Sequence, residues 1–288
     1  MSTVIKEVKH QEPAEEISSV IEPEPGIYND IPHEEYHHAP EYKAFISSTG
    51  VRKLLKSAAH FKAHQTTESK PTPQMLFGSA AHYHVLEPEK EMVIVAPVAR
   101  TSRKAFAEFE ASQPKDKSIV SESEMQQLEG MRKEMAKHSL ARSLIFNGQA
   151  EQSVFWNHTM FEDTKCKCRP DYALDDIKTI VDYKTTTDAG ADSFAKAVIN
   201  FGYEVQAAWY MDGMKTVSGE DYQFVFVAQE KEPPYAIAIY LLSRDFIERG
   251  QKLINTALTT HFYARQTKKW DGYPAELKEL RPPAWAIL

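Results

Sequence analysis

Cysteine is nearly absent: the 288 residues hold two, Cys166 and Cys168. Two thiols cannot supply the four that an iron-sulfur cluster takes within one subunit. Spaced one residue apart on a strand, they face the same way and are poorly placed to bridge each other. They read as reduced residues at or near the core. Long hydrophobic runs are missing as well. No stretch approaches the roughly 20 apolar residues of a membrane span, and the first thirty residues lack the basic-then-apolar pattern of a secretory leader. No membrane association and a cytoplasmic location are therefore expected. Basic excess is the third absence, with a formal net charge of -7. What is present is ordinary for a globular protein, 42% hydrophobic and 26% charged, which is enough for one large core.

The acidity is uneven. Residues 1–25 hold six glutamates against Lys6 and Lys9, a net of -4, and the remainder carries -3. Rich in Glu and Pro with few aromatics, this stretch reads as a disordered acidic arm or a linker. Residues 26–288 read as one domain. Ser47 or Ser48 N-caps a helix over about 49–64, and a second helix covers 75–87 until Pro88 stops it. A strand near 92–96 and a short helix near 103–111 follow. Ser121 and Glu124 form a capping box that starts a helix turning Met125, Leu128 and Met131 to a core. Strands are predicted at 151–159, 165–174 and 179–185, then a helical pair over 192–217. Two more strands, 221–229 and 235–242, are parted by Glu232-Pro233-Pro234. An amphipathic helix over 244–266 and an irregular tail with a docking Trp285 complete the reading. The fold class is α/β, with a mixed central sheet flanked by helices.

Two pieces on adjacent strands carry chemistry: Arg169-Pro170-Asp171 and Asp182-Tyr183-Lys184. Side chains alternate along a strand, so Asp182 and Lys184 share a face while Tyr183 points away and leaves its carbonyl nearby. A turn at Asp175-Asp176 brings Asp171 alongside. Two carboxylates and an ammonium then converge, as a hard cation and a scissile phosphate require. Taken alone, Asp-x-Lys is more often a solvated salt bridge. Other residues add to it. Gly78, Ser79, Ala80 and Ala81 precede His82, so small residues let that helix pack closely and aim the imidazole. Glu151 opens the strand before Asp171, and Gln206 and Tyr210 lie at i and i+4 on one helix face.

The resulting order, Gly-x-x-x-His, Glu, Pro-Asp, Asp-Tyr-Lys and Gln-x-x-x-Tyr, resembles the RecB-like branch of the PD-(D/E)xK nuclease superfamily. The flanks "GIYNDIPHEEYHHAPEYKAFISSTGVRKLLK" and "FGSAAHYHVLEP" are similar to the nuclease domain of RecE, the exodeoxyribonuclease VIII type of phages and prophages, from about residue 26 onward. Relatives in that branch with an iron-sulfur cluster carry four cysteines, which this chain lacks. The resemblance implies a restriction-endonuclease-like core, 5′-to-3′ digestion of linear duplex DNA, and 3′ single-stranded tails. Those tails would pass to a RecT-like single-strand-annealing protein in recombination and repair. It also implies a ring-shaped homo-oligomer.

Roles follow, each beside a plainer one. Asp171 and Asp182 would bind Mg²⁺ with the Tyr183 carbonyl as a further oxygen ligand. His82 would add a nitrogen that lets Mn²⁺ substitute, with His84 as the competing histidine. Lys184 would position water or stabilise phosphate charge, or merely neutralise the aspartates. Glu151 would serve a second metal or be solvated. Gln206 would hold water or a metal-site carboxylate, and Tyr210 the DNA backbone, unless both pack a helix. Arg169 would reach a phosphate. Ser48, Arg52, Lys53 and Arg103 are candidates for a 5′-phosphate pocket, or else solvated helix faces. Basic stripes on an acidic exterior suit an enzyme that tracks along DNA. The alternatives are an endonuclease or single-strand-specific nuclease of the same superfamily, and a non-catalytic DNA-binding scaffold.

Overall fold

The computed structural model describes residues 22–67, 71–161 and 164–282. The chain begins with β1 (Gly26–Tyr28) and the short α1 (His33–His38). Next come α2 (Ser48–Lys56), α3 (Ala58–Thr66) and α4 (Pro73–Ala81). A small unit of β2 (Val93–Val95), α5 (Arg103–Ala111) and β3 (Ser118–Val120) leads to α6 (Glu122–Lys137) and α7 (Ser139–Phe146). The central strands are β4 (Gln149–Ala150), β5 (Ser153–Asn157), β6 (Lys165–Cys168), β7 (Tyr172–Leu174) and β8 (Thr179–Thr186). Then come α8 (Ala191–Phe201), α9 (Tyr203–Ser218), β9 (Gln223–Glu230), β10 (Ile237–Leu241) and α10 (Arg244–Thr267).

Five strands form a mixed sheet in the order β10-β9-β8-β7-β4, with β8 and β9 parallel and the other pairs antiparallel. The parallel pair is joined through α8 and α9, the crossover such a pairing requires. Alternation along β8 and β9 sorts side chains between two layers. Ile180, Phe224, Phe226 and Ala228 enter one core with α2, α8, α9 and α10, where Trp156, Trp209, Cys166 and Cys168 also lie. Val181, Tyr183, Val225 and Val227 enter the other with α4, α6 and α7. Both cysteines are free and buried. Among the described residues, no helix is long and apolar enough to cross a membrane.

A second sheet, β1-β5-β6, continues the first. Gln149 pairs with Ala173, and five residues further on Val154 pairs with Cys168, so β4-β5 and β6-β7 form one antiparallel ladder in constant register. The ladder is interrupted at its middle. Pro170 has no N–H to give it, and Glu151 opposite the Pro-Asp pair adopts a left-handed φ of 54°. The strand predicted over 165–174 is split there into β6 and β7, and the one predicted over 151–159 is shortened to β5, with β4 before it. This interruption is where the site forms.

Other boundaries also moved. The helix expected over 49–64 is two, because Ser57 is extended and its hydroxyl accepts the His60 N–H at 3.2 Å to start α3. Ser47, not Ser48, caps α2. The histidine helix ends at Ala81 and passes into one π-helical turn, His82–Leu86, with Pro88 beyond it. The capping box at Ser121, α5 and α10 stand within a residue of expectation. In the tail, Trp270 stacks on Phe61 at 6.0 Å, whereas Trp285 lies outside the described residues, as does the acidic arm up to residue 21.

One crossing fixes α9, which carries Gln206 and Tyr210. Gly250 of α10 lies so close that an added Cβ would sit 2.2 Å from the Glu204 carbonyl and 2.9 Å from Ala208 Cβ. Gly250→Ala should therefore cost about 1–3 kcal/mol of stability as overpacking does, read as a lower denaturation midpoint. An unchanged midpoint would mean that the two helices part at no cost.

Candidate active site

Pairing of β7 with β8 sets the first contact. Tyr172 opposes Val181 and Leu174 opposes Thr179, so Asp171 comes level with Asp182. The Asp171 Oδ2 accepts the Tyr183 N–H at 2.7 Å. Asp182, fully buried, meets Lys184 Nζ at 2.6 Å through Oδ2 and accepts a hydrogen bond from Gln206 Nε2 at 2.6 Å through Oδ1. Lys184 also lies over the Tyr203 ring at 4.9 Å. Tyr183 points into the opposite layer, where its hydroxyl donates to Gln229 at 2.7 Å.

His82 approaches from that opposite layer. Ala80 and Ala81 are wholly buried, and an added Cβ on Gly78 would lie 3.9 Å from Thr185 Oγ1. Small residues thus seat α4 on β8, and the π-helical turn then directs the ring. His82 Nε2 stands 3.1 Å from Asp171 Oδ2, with its ring edge-on to Tyr183 at 5.6 Å. His84 is not in this group. It lines a separate cleft with Tyr83, Pro88, Glu91, Met92 and Val93.

Glu151 completes the cluster from the interrupted ladder, its N–H donating to the Asp171 carbonyl at 3.0 Å. One nitrogen of His82 and one oxygen each from Glu151 and Asp171 lie within 4.8 Å of one another. Expectation placed Asp171 with Asp182 and gave Glu151 a separate ion. The structure instead groups Glu151 with His82 and Asp171, and sets Asp182 one step back against Lys184 and Gln206. Glu151 is held by Arg169, whose Nε donates to Oε2 at 2.6 Å.

That contact corrects the expectation for Arg169. Its Nη1 donates to Ser153 Oγ at 2.7 Å and to the Ile31 carbonyl at 3.0 Å, and its side chain is 9% exposed. The guanidinium is spent inside the protein and does not face a phosphate. Arg52 is similarly engaged, donating to the Phe201 carbonyl at 2.7 Å and to Thr49 at 3.0 Å, which ties α2 to the end of α8. Ser48 is buried, Lys53 half-buried and Arg103 exposed at the start of α5. Ser48, Arg52 and Lys53 share α2, whereas Arg103 opens α5. Tyr210 packs edge-on to Phe224 at 6.1 Å, one turn beyond Gln206.

Electrostatics follow from three carboxylates and three cations in a mostly buried space. Burial lowers the His82 pKa, but the facing Asp171 carboxylate outweighs it and holds the imidazole up at about 9. Burial raises the Asp182 carboxyl to about 6 against the pull of Lys184. Asp171 is kept low despite burial, by His82 and then Lys184. Lys184 is kept high despite burial, by Asp182 and Asp171. Burial and then Asp171 raise Glu151. In the metal-free protein His82 and Lys184 are therefore both cationic at neutral pH.

Sequence reasoning missed two supports, Tyr203 beneath Lys184 and Arg169 behind Glu151. Tyr203 carries a usable signal, three residues before Gln206 on the same face of α9. Arg169 has none, because its partners come from separate segments.

Comparison with known proteins places this arrangement. No curated protein sequence matches the chain. A presumed exonuclease from Eubacterium rectale is similar in structure, with a TM-score of 0.62 at 14% identity over 88% of this chain and 95% of that one. At that identity the likeness shows the fold. An alkaline exonuclease from Laribacter hongkongensis is 12% identical over 78% of this chain and 94% of its own, with a TM-score of 0.32. A phage-related exonuclease from Haemophilus somnus is 13% identical over 78% and 96%, with a TM-score of 0.30. A family model described as a PDDEXK-like domain of unknown function (DUF3799) matches residues 47–281, and the chain belongs to that family, within the PD-(D/E)xK superfamily.

Proposed function

We propose that the protein is a metal-dependent exodeoxyribonuclease of the RecE type that degrades linear duplex DNA from the 5′ end. The observation that carries this reading is the convergence of Asp171, Asp182 and Lys184 with His82 and Glu151 on a PD-(D/E)xK fold. The proposal includes 3′ single-stranded tails, delivery to a RecT-like annealing protein, a ring-shaped homo-oligomer and a cytoplasmic location.

The donors present fit a divalent cation. One imidazole nitrogen and two carboxylate oxygens lie within 4.8 Å of one another, a set that suits Mg²⁺ and suits Mn²⁺ better. His82, Asp171 and Glu151 would hold it, with Asp182 and the Tyr183 carbonyl as further oxygens. Such an ion, when bound, lowers the pKa of water and polarises a phosphoryl oxygen. The chain's own groups do the rest. Lys184, whose pKa Asp182 and Asp171 hold up, places positive charge beside the phosphate. Gln206 fixes the Asp182 carboxylate. Arg169 fixes Glu151. Water adds to phosphorus and the P–O3′ bond breaks, releasing a 5′-mononucleotide.

The test is digestion of linear duplex DNA labelled at its 5′ or 3′ end, with Mg²⁺ or EDTA, beside a covalently closed circle. The expected result is Mg²⁺-dependent release of the 5′ label as mononucleotide while the circle stays intact. Cutting of the circle would make the protein an endonuclease. Asp171→Asn, Asp182→Asn and Lys184→Ala should each lose about 10²–10³ or more in rate, and retained turnover would remove that residue from the reaction.

Metal binding should also depend on pH. A proton that His82 holds up to about 9 must leave before its nitrogen can ligate. Affinity for Mn²⁺ should then rise by up to about tenfold per unit as pH climbs toward that value, with proton release. Calorimetry in buffers of different ionisation enthalpy reads both quantities. His82→Gln should weaken binding and flatten the slope. An affinity independent of pH in the unaltered protein would remove His82 from the ligand set.

A further inference from the structure

The six-residue helix α1 has no role in the chemistry above, yet it is bound firmly to the acid cluster. Arg169, the residue that holds Glu151, also donates to the Ile31 carbonyl just before α1 at 3.0 Å. Lys167 donates to the Tyr36 carbonyl within it at 2.8 Å. The buried Tyr36 ring lies under both cations, 4.5 Å from Lys167 and 5.3 Å from Arg169. A short surface helix held by two nearly buried cations is positioned rather than merely attached.

What α1 presents outward is a pair of rings. His33 and His37, one turn apart, have centroids 4.4 Å from each other, and both side chains are exposed. Tyr83, the residue after His82, stands edge-on to His33 at 6.4 Å and is half-buried. Tyr83 also lines the cleft beside His84, which has a volume of about 410 Å³. Tyr83, adjacent in sequence to the ligand candidate His82, thus links the two imidazoles to the metal-ligand cluster, and its own ring also lines that cleft of nucleotide size.

Their electrostatics fit a neutral partner. Partial desolvation against the protein, although both rings keep a solvent-exposed edge, and then the Arg169 charge hold the His33 imidazole below its ordinary range. Partial desolvation, and then His33, pushes His37 down to about 3. Neutral imidazoles give a phosphate no charge to pair with. A second metal site is disfavoured too, because among the described residues the only cluster of three or more donors around one point is His82, Glu151 and Asp171. What remains is the face of an unstacked base, which rings bind without regard to sequence.

We propose that His33, His37 and Tyr83 form a stacking platform for the nucleobase next to the scissile phosphate, once that base has left the duplex end. The proposal rests on the nuclease reading. An enzyme that consumes any sequence needs a hold of this kind, since every base has a π-face.

The test uses the full chain and duplex DNA with 2-aminopurine at the 5′ end. In an Asp182→Asn background, which blocks turnover, binding with Mg²⁺ should change the probe's fluorescence, and His33→Ala with His37→Ala should abolish that change. In the otherwise unaltered enzyme the same pair should raise KM roughly 5- to 150-fold, with kcat within about twofold, as loss of uniform binding does. Replacing both histidines by Phe should restore KM and the fluorescence change. An unchanged KM and signal in the alanine pair, with the parent cleaving DNA, would overturn the platform alone. Failure of Phe to restore them would also overturn it, because the ring face would not be what matters. A parent that neither binds nor cleaves DNA would overturn the nuclease reading and the platform together.

Discussion

One carboxylate oxygen joins the two halves of the site. Asp171 Oδ2 accepts the Tyr183 N–H and faces His82 Nε2, so the backbone of β8 and the imidazole above it share one acceptor. The first contact belongs to strand pairing and the second to the seating of α4. Neither layer alone would place Asp171, because Pro170 takes it out of the ladder just where Glu151 turns through a left-handed conformation. The interruption leaves Asp171 and Glu151 outside regular pairing while the constant register on either side keeps them opposite each other.

Charge explains why the cluster is stable without an ion and receptive to one. Three carboxylates in a mostly buried space repel, and unpaired they would be costly. Lys184 answers Asp182, Arg169 answers Glu151, and the proton on His82 answers Asp171. Only the last of these leaves easily. A cation held as proposed by the His82, Glu151 and Asp171 donors would replace that proton with a larger charge, while the two permanent cations would keep the flanking carboxylates in place. Arg169 extends this order outward, since the same guanidinium that orients Glu151 also anchors the start of α1.

Much of this was legible in the sequence, for definite reasons. The Asp182, Tyr183 and Lys184 alternation survives because a buried strand admits only one register. The turn after Asp171 and the i, i+4 step from Gln206 to Tyr210 are local, and local geometry is what periodicity encodes. The mixed sheet with flanking helices is also as the pattern implied, and its restriction-endonuclease-like form is as the resemblance implied. Errors arose where a partner is distant. Arg169 looked like a phosphate contact because Glu151, Ser153 and Ile31 are invisible to a reading of its neighbours. Arg52 looked free because its acceptor is a carbonyl 149 residues away. The break at Ser57 went unseen because a serine inside a helical pattern gives no warning that its hydroxyl will start a new helix.

The most direct test of the account is a crystal structure of the protein with Mn²⁺ and a short DNA duplex, the ion located by anomalous scattering. The account predicts an ion whose nearest protein atoms are His82 Nε2 and the carboxylates of Asp171 and Glu151, with His82 no longer paired to Asp171 and Lys184 beside a phosphate. An ion bound elsewhere, or His82 still paired to Asp171 at saturating Mn²⁺, would contradict it.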